Sequence, residues 1–437
     1  MKSSLVKLLF FSSLFLSQFF KEIKAEDSYL LKFYEIKNKS LETSPELKIS
    51  KARLSEQSAA SYTAMTTHLP NANLVLKQEK DFFENRKSQL RALGLSNYDS
   101  SWAINYEWPL LNFAQIQSTR KVFAEKEKTK IDSEIKSKEF PIAFTNYFLN
   151  YMLAQYKTAA VLNSLKKAET AKKEAQIGFD LGQKTKIDVL RSDANYVSLN
   201  SKKTSYKEDE QNSKNQFLEY SGLTNADLEF FSSMSENNIL EFINSLTNVP
   251  MSKNLAQVER SPNYQRLLLE EKINKLSLAE LTRKEYPDLR IQGALSHSAN
   301  SFAGTLHNPS RAHSVALVLT IPLFSGGSLA SSEFQSYFTK KEIEYTINQK
   351  KYQLENTLES TRTKISALET LVESLTLNVS QYEELYKLTS KSYQLGKSSL
   401  FELLEVQDNL LDSKINLAQN KINLFTLSQN YIWQAGL

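Results

Sequence analysis

From Leu354 onward the core-type positions of this chain step alternately by four and three residues: Leu354, Leu358, Thr361, Ile365, Leu368, Val372, Leu375, Val379, Tyr382 and Tyr386. Such stepping is a heptad seam, the signature of a helix packed along its length against other helices. The predicted helix runs from about 330 to 394 and is roughly 97 Å long at about 1.5 Å per residue. A matching helix is predicted over about 115–178. Helices of that length with polar outer faces are not stable alone and must pack side by side. A strict seven-residue repeat winds them left-handed.

Elsewhere the period is two. Trp102, Ile104, Tyr106 and Trp108 alternate with Ser101, Ala103, Asn105 and Glu107. Leu289, Ile291 and Leu295 alternate with Arg290, Gln292 and Ser296, and Val315, Leu317, Leu319 and Ile321 form a further alternating run. Alternation with aromatic and β-branched residues predicts strands. A weaker strand is predicted from Asn71, with Leu74, Leu76 and Phe82 in phase. Residues 83–100 and 298–312, rich in Ser, Asn and Arg, are predicted to be loops.

Each long helix is predicted to end at a glycine, Gly182 or Gly396, able to take the left-handed conformation that closes a helix. Thr185 and Ser399 follow as N-caps, and Asp188 and Glu402 complete capping boxes for return helices over about 185–221 and 399–435. The landmarks recur in order. Pro45 and Pro70 stand 25 residues apart, as do Pro262 and Pro287, and Trp108-Pro109-Leu110 is echoed by Ile321-Pro322-Leu323. The expected organisation is an export signal over 1–25, a first repeat over 26–222, a connector over 223–246 and a second repeat over 247–437. The connector, with Phe230, Phe231, Ile239 and Leu240, shows no clear periodicity.

Composition narrows the function. The chain has 437 residues and no cysteine, which excludes disulfides, thiolate metal sites and a cysteine nucleophile. Lys2, Lys7, Lys21, Lys24 and Glu22 carry most of the formal charge of +5, leaving about +2 without the first 25 residues and no case for nucleic acid. Lys2 and Lys7 precede an apolar run from Leu8 to Phe20, too short to span a bilayer as a helix but suited to a cleavable signal ending near Ala25. No later stretch has the apolarity of a transmembrane helix. The four histidines, His68, His297, His307 and His313, lack metal-ligand spacing, and no phosphate-binding loop or nucleophile elbow is present. An enzyme and a cofactor are not expected.

Four strands with one apolar face cannot close a barrel, and open edges do not persist in lipid. Closure therefore calls for further copies of the chain. In these features the sequence resembles the TolC-like outer-membrane efflux protein family. The resemblance is carried by Ser44-Pro45, Ser261-Pro262, Ile321-Pro-Leu-Phe-Ser-Gly-Gly327 and the two glycine turns, and it covers the whole mature chain. It implies a mainly α fold with a small antiparallel β part. Long helical hairpins would form a trimeric α-barrel tunnel, and four strands per chain would complete a 12-stranded transmembrane β-barrel. It also implies a passive exit duct in the outer membrane reaching into the periplasm. Its partners would be two further copies, outer-membrane lipid, a periplasmic adaptor (membrane fusion) protein and an inner-membrane pump of RND or ABC type. By position, Glu402 and Glu405 match acidic rings at the pore entrance, while Tyr393 and Asp188 match residues that hold the entrance closed. Leu181, Gly182, Leu395 and Gly396 match the turns that meet the adaptor. The arginine expected two residues after Gly396 is absent. Ser398 stands there, and Lys397 and Lys184 are the nearby cations. The alternative reading is a periplasmic coiled-coil scaffold or adaptor with a soluble β-domain.

Overall fold

The computed structural model describes residues 25–80, 98–247, 258–299, 310–323 and 326–435. Most of the export signal, Phe82, His307 and the greater part of both predicted loops lie outside the described residues. In chain order the elements are α1 (Ala25–Thr43), α2 (Pro45–Thr66), β1 (Asn71–Lys80), β2 (Tyr98–Leu111), α3 (Phe113–Asp180) and α4 (Lys186–Ser221). Then come α5 (Asn225–Ser232), α6 (Glu236–Thr247), α7 (Pro262–Thr282), β3 (Asp288–Ala299), β4 (Ser310–Thr320), α8 (Ser328–Gln394) and α9 (Leu400–Gln434). The two long helices, 68 and 67 residues, fall within two residues of their predicted ends, and α3 runs unbroken through Pro141.

The chain divides into two compact units, each built from separated segments. One comprises Met1–Lys51, Ser133–Pro262 and Leu354–Leu437, and the other Ala52–Asp132 and Asn263–Gln353.

The second unit carries a four-stranded antiparallel sheet in the order β1-β2-β3-β4. Paired residues share a face, so the rows Leu74–Ile104–Leu295–His313, Ala72–Tyr106–Gly293–Val315 and Trp108–Ile291–Leu317 make one face mostly apolar. Asn73–Asn105–Ala294–Ser314 and Asn71–Glu107–Gln292–Ala316 make the other face polar or small. The apolar side chains are exposed, Leu76, Val315 and Leu317 each by more than 60%. At the outer end of this face Trp102 stacks on His297 at 4.1 Å between ring centroids. The strands extend several residues into the predicted loops, because pairs such as Lys80–Tyr98 and Ser298–Ser310 are set by the backbone ladder and not by side-chain alternation.

Beneath the sheet the same unit holds a row of helices. α2 and the turn after it meet α3 through the Thr119 hydroxyl on the Ala64 carbonyl (3.2 Å) and His68–Thr119 (2.8 Å). α3 meets α7 through Lys121–Glu280 and Lys272–Glu127, both 3.0 Å, and α7 meets α8 through Lys350–Glu270 (2.6 Å).

The first unit is organised around an aromatic core. Phe148 is fully buried, with ring centroids of Phe33, Phe217, Phe231 and Phe242 at 5.1, 5.3, 4.9 and 5.9 Å. Two of these partners come from the region taken as an aperiodic connector, which instead forms α5 and α6. In α6 the buried residues Ile239, Phe242, Ile243 and Leu246 keep a clear helical spacing. The pattern is short and follows a helix break, so it offers little to read until the core it faces is known. The Tyr151 phenol, buried beside this core, is pushed up to about 12.

The heptad seam of α8 holds. Leu358 and Val379 are buried and the other eight seam positions are partly buried, between exposed neighbours. Leu354, Leu358 and Ile365 of α8 pack with Tyr431 of the return helix and its cap residue Ala435. Among the described residues no helix is long and apolar enough to cross a membrane.

Candidate functional site at the two hairpin turns

Both turns have one construction. At the end of α3, Gly182 N–H donates to the Phe179 carbonyl (2.9 Å) and Gln183 N–H to that of Gly178 (2.7 Å). At the end of α8, Gly396 N–H donates to Tyr393 and Lys397 N–H to Ser392, both at 2.9 Å. This pair of reversed bonds is the Schellman closure, and it holds Gly182 and Gly396 at φ +71°. The return helices start on full capping boxes. The Thr185 hydroxyl accepts from Asp188 N–H, and Asp188 accepts from Thr185 N–H at 2.9 Å. Ser399 and Glu402 exchange the same two bonds at 3.2 and 3.1 Å. The backbone donation from Thr185 holds the Asp188 carboxyl below the usual range, helped by its hydroxyl and by the charge of Lys184.

The two hairpins meet in a small core. Ala175 of α3, Val189 of α4 and Leu400 and Leu404 of α9 are buried together, with Tyr393 of α8 packed against them. Across this core Lys184 Nζ donates to the Tyr393 hydroxyl at 2.9 Å and lies 5.3 Å from its ring centroid. One heptad earlier on α8, Tyr386 receives Lys167 in the same way, at 3.3 Å to the hydroxyl and 5.3 Å to the ring. Arg191 stacks over Phe401 at 4.8 Å, a third cationic contact from the first hairpin to an aromatic ring of the second. Gly178 makes room for the Lys184 stem: a Cβ at 178 would stand 2.8 Å from Lys184 Cγ.

Of the residues singled out in the sequence, Tyr393 is brought to the hairpin junction. Its hydrogen-bond partner is Lys184, while Asp188 is committed to its own capping box. Ser398, at the position of the missing arginine, turns back and donates to the Thr389 carbonyl (3.3 Å). Glu402 is engaged as a cap, and Glu405 is exposed. Leu181 and Leu395, at the turn apices, are 67% and 71% exposed. Sequence reasoning did not single out Gly178, Lys167 or Arg191. The heptad spacing of Tyr386 and Tyr393 is the signal that points to paired cations, but which lysine reaches each ring depends on how the hairpins pack. Among the described residues no cluster of three or more metal-ligating side chains occurs. His68 binds Thr119, His297 stacks on Trp102, and His313 lies 3.2 Å from the Tyr106 hydroxyl.

The chain thus combines a four-stranded sheet with one apolar face and two long helical hairpins. Residues 278–429 match the family described as outer membrane efflux protein, a family of channels and not of enzymes, so the resemblance drawn from the sequence is borne out. Among solved structures the chain is similar to the CmeC outer membrane channel of Campylobacter jejuni, with TM-score 0.74, 13% identity, and 93% of this chain and 85% of that one covered. It is also similar to the outer membrane protein VceC of Vibrio cholerae (0.67, 14%, 93% and 96%). The open state of the Neisseria gonorrhoeae MtrE outer membrane channel gives 0.70, 11%, 93% and 89%. Identities this low carry the fold, and the chemistry of the turns must be argued from this chain's own residues. No curated protein sequence matches the chain.

Proposed function

We propose that the protein is the passive outer-membrane duct of a tripartite efflux or type I secretion system, acting as a homotrimer. The observation that carries this reading is the sheet: one exposed apolar face, one polar face and two open edges, in a chain whose described helices include none able to cross a membrane. An apolar face of that extent belongs against lipid, and open edges in lipid must be paired by copies of the same sheet. Three copies supply twelve strands, within the range of closed outer-membrane barrels. On this reading the two repeats, 26–222 and 247–437, are a tandem duplication whose long hairpins line a periplasmic tunnel. Residues 223–246 belong to its equatorial region, and 1–25 direct export.

The hairpin turns are the closed inner end of the tunnel. Tyr393 and Asp188 belong to the closing network, and Lys184 takes the role left open by the missing arginine. A lysine does so as a point charge with one strong donation, without the bidentate pairing of a guanidinium. Glu402 and Glu405 form threefold carboxylate rings that favour cations. The exposed apices at Leu181, Gly182, Leu395 and Gly396 meet a periplasmic adaptor, which couples the duct to an inner-membrane pump. The test is direct. The full-length protein, extracted in detergent, is expected to have the mass of a trimer by light scattering and to conduct ions in planar bilayers. A monomer soluble without detergent would overturn the reading in favour of a periplasmic scaffold.

A further inference from the structure

The charged side chains of the sheet are divided between its faces. Glu79, Glu107, Asp288, Lys77 and Arg290 stand on the polar face, where Lys77 pairs with Glu79 and Arg290 with Glu107 and Asp288. Among the described side chains of the apolar face there is no carboxylate, and the one permanent cation is Arg311. In the row Leu76–Trp102–His297–Arg311 it stands directly opposite His297, whose ring is stacked on Trp102. Two residues along β4, His313 shares the face and lies diagonal to His297. Opposite neighbours on a sheet are about 5 Å apart at Cβ and diagonal ones about 7–8 Å, so three nitrogen-bearing side chains occupy one corner. Arg311 and His313 are exposed, and His297 is half-buried. The Tyr106 hydroxyl gives its proton to the Ser314 carbonyl (3.3 Å), so it accepts from His313 Nε2 at 3.2 Å. Arg311 has no ion pair among the described residues. In lipid, such a guanidinium takes its counter-charge from outside the chain.

The corner also has a defined height. The register Asn71–Glu107 and Asp288–Thr320 places the helix junctions at one end of the sheet, and the Arg311 row lies toward the other. Arg311 and Leu319 are eight residues apart on β4, about 27 Å along a strand and about 21 Å along the membrane normal at a tilt near 40°. The apolar band of an outer-membrane barrel is about 25 Å tall. With the helices on the periplasmic side, the corner meets the headgroups of the outer leaflet, and Leu295, Val315 and Leu317 lie below it at acyl-chain depth. Closing the barrel leaves this charge unchanged, since β1 of the adjoining copy brings Leu74, Leu76 and Gln78 on that face.

We propose that Arg311, His297 and His313 form a binding site for the phosphate of an outer-leaflet lipid, whose acyl chains lie along the apolar rows below. Arginine offers a planar fork of donors matched to phosphate oxygens, and the imidazoles add donors on one side of it. The stack on Trp102 holds the His297 ring in place before the lipid arrives. The occupant is a lipid because the donor corner and the apolar rows form one continuous surface, of which a free anion would use only a part. The inference rests on the outer-membrane reading and adds the lipid chemistry that the sheet selects.

The test uses the full-length protein as a detergent-extracted trimer, titrated with lipid and weighed by native mass spectrometry. Dioleoylphosphatidic acid is compared with dioleoylglycerol, which has the same chains and no phosphate, and with inorganic phosphate. Phosphatidic acid is expected to bind about tenfold more tightly than dioleoylglycerol, one copy per subunit. The combined variant Arg311→Gln, His297→Gln and His313→Gln is expected to lose that preference, whereas Lys77→Gln, near the same height on the polar face, keeps it. Equal binding of the two lipids, an undiminished preference in the combined variant, or displacement of the lipid by an equal concentration of inorganic phosphate overturns the site and leaves the duct standing. Where the combined variant does not assemble, Arg311→Gln alone decides, and its unchanged preference also overturns the site. A monomer by mass overturns the duct reading and the site with it.

Discussion

At the scale of single residues, the hairpin junction turns on Lys184. Its amine donates to Tyr393 while its stem lies over Gly178, so two positions control one contact. Lys184→Met keeps the stem and removes the donor. A partly exposed charged hydrogen bond contributes on the order of 1 kcal/mol, so the closed-to-open ratio of each turn is expected to fall roughly fivefold. In bilayers this is measured as more frequent and longer openings. Gly178→Ala, which leaves the amine and displaces the stem, is expected to act in the same direction, and an unchanged open fraction in both variants would show that the contact is not part of closure. The carboxylates need a different design, because Glu402 is also a helix cap. A change to Ala loses both roles and confounds them. Glu402→Gln with Glu405→Gln keeps a side chain able to serve in a capping box and removes the charge. The cation-to-anion permeability ratio is expected to drop toward unity with the hairpin fold retained. An unmoved ratio would place these residues away from the constriction.

At the scale of elements, the legibility of the chain followed the length of each periodic run. The α8 seam was readable because it repeats over many turns, and the buried positions fall on it residue for residue. The short helices α5 and α6 were not, since about two helical turns of apolar residues are hard to tell from a loop until the aromatic cluster around Phe148 shows what they cover. The β1 strand was weak in the sequence and is as well paired as the rest, because the ladder to β2 supplies what its own alternation lacks. Sheet faces give an element-scale test. Leu317 lies on the apolar face and Ala316 beside it on the polar one. Leu317→Arg is expected to cost about 2–4 kcal/mol near the bilayer midplane and to abolish the detergent-extracted, heat-modifiable trimer, whereas Ala316→Arg is expected to leave assembly intact. Equal tolerance of both would remove lipid from the apolar face.

At the scale of the whole molecule, the sheet leaves the outer edges of β1 and β4 without a partner strand among the described residues. Under the proposed trimer, further copies of the chain pair with both edges. By itself the sequence determined the two long helices with their return helices, the strand pairs, the repeated order of their landmarks and the hairpin closures. Each of these is written in local signals: periodicity, caps, and the φ that only glycine adopts freely. Only the tertiary structure decided which side chains meet across those elements. It set Lys184 on Tyr393, committed Asp188 to its own cap, and made the connector part of the aromatic core. Such choices depend on the packing of segments hundreds of residues apart, and no local pattern encodes that packing.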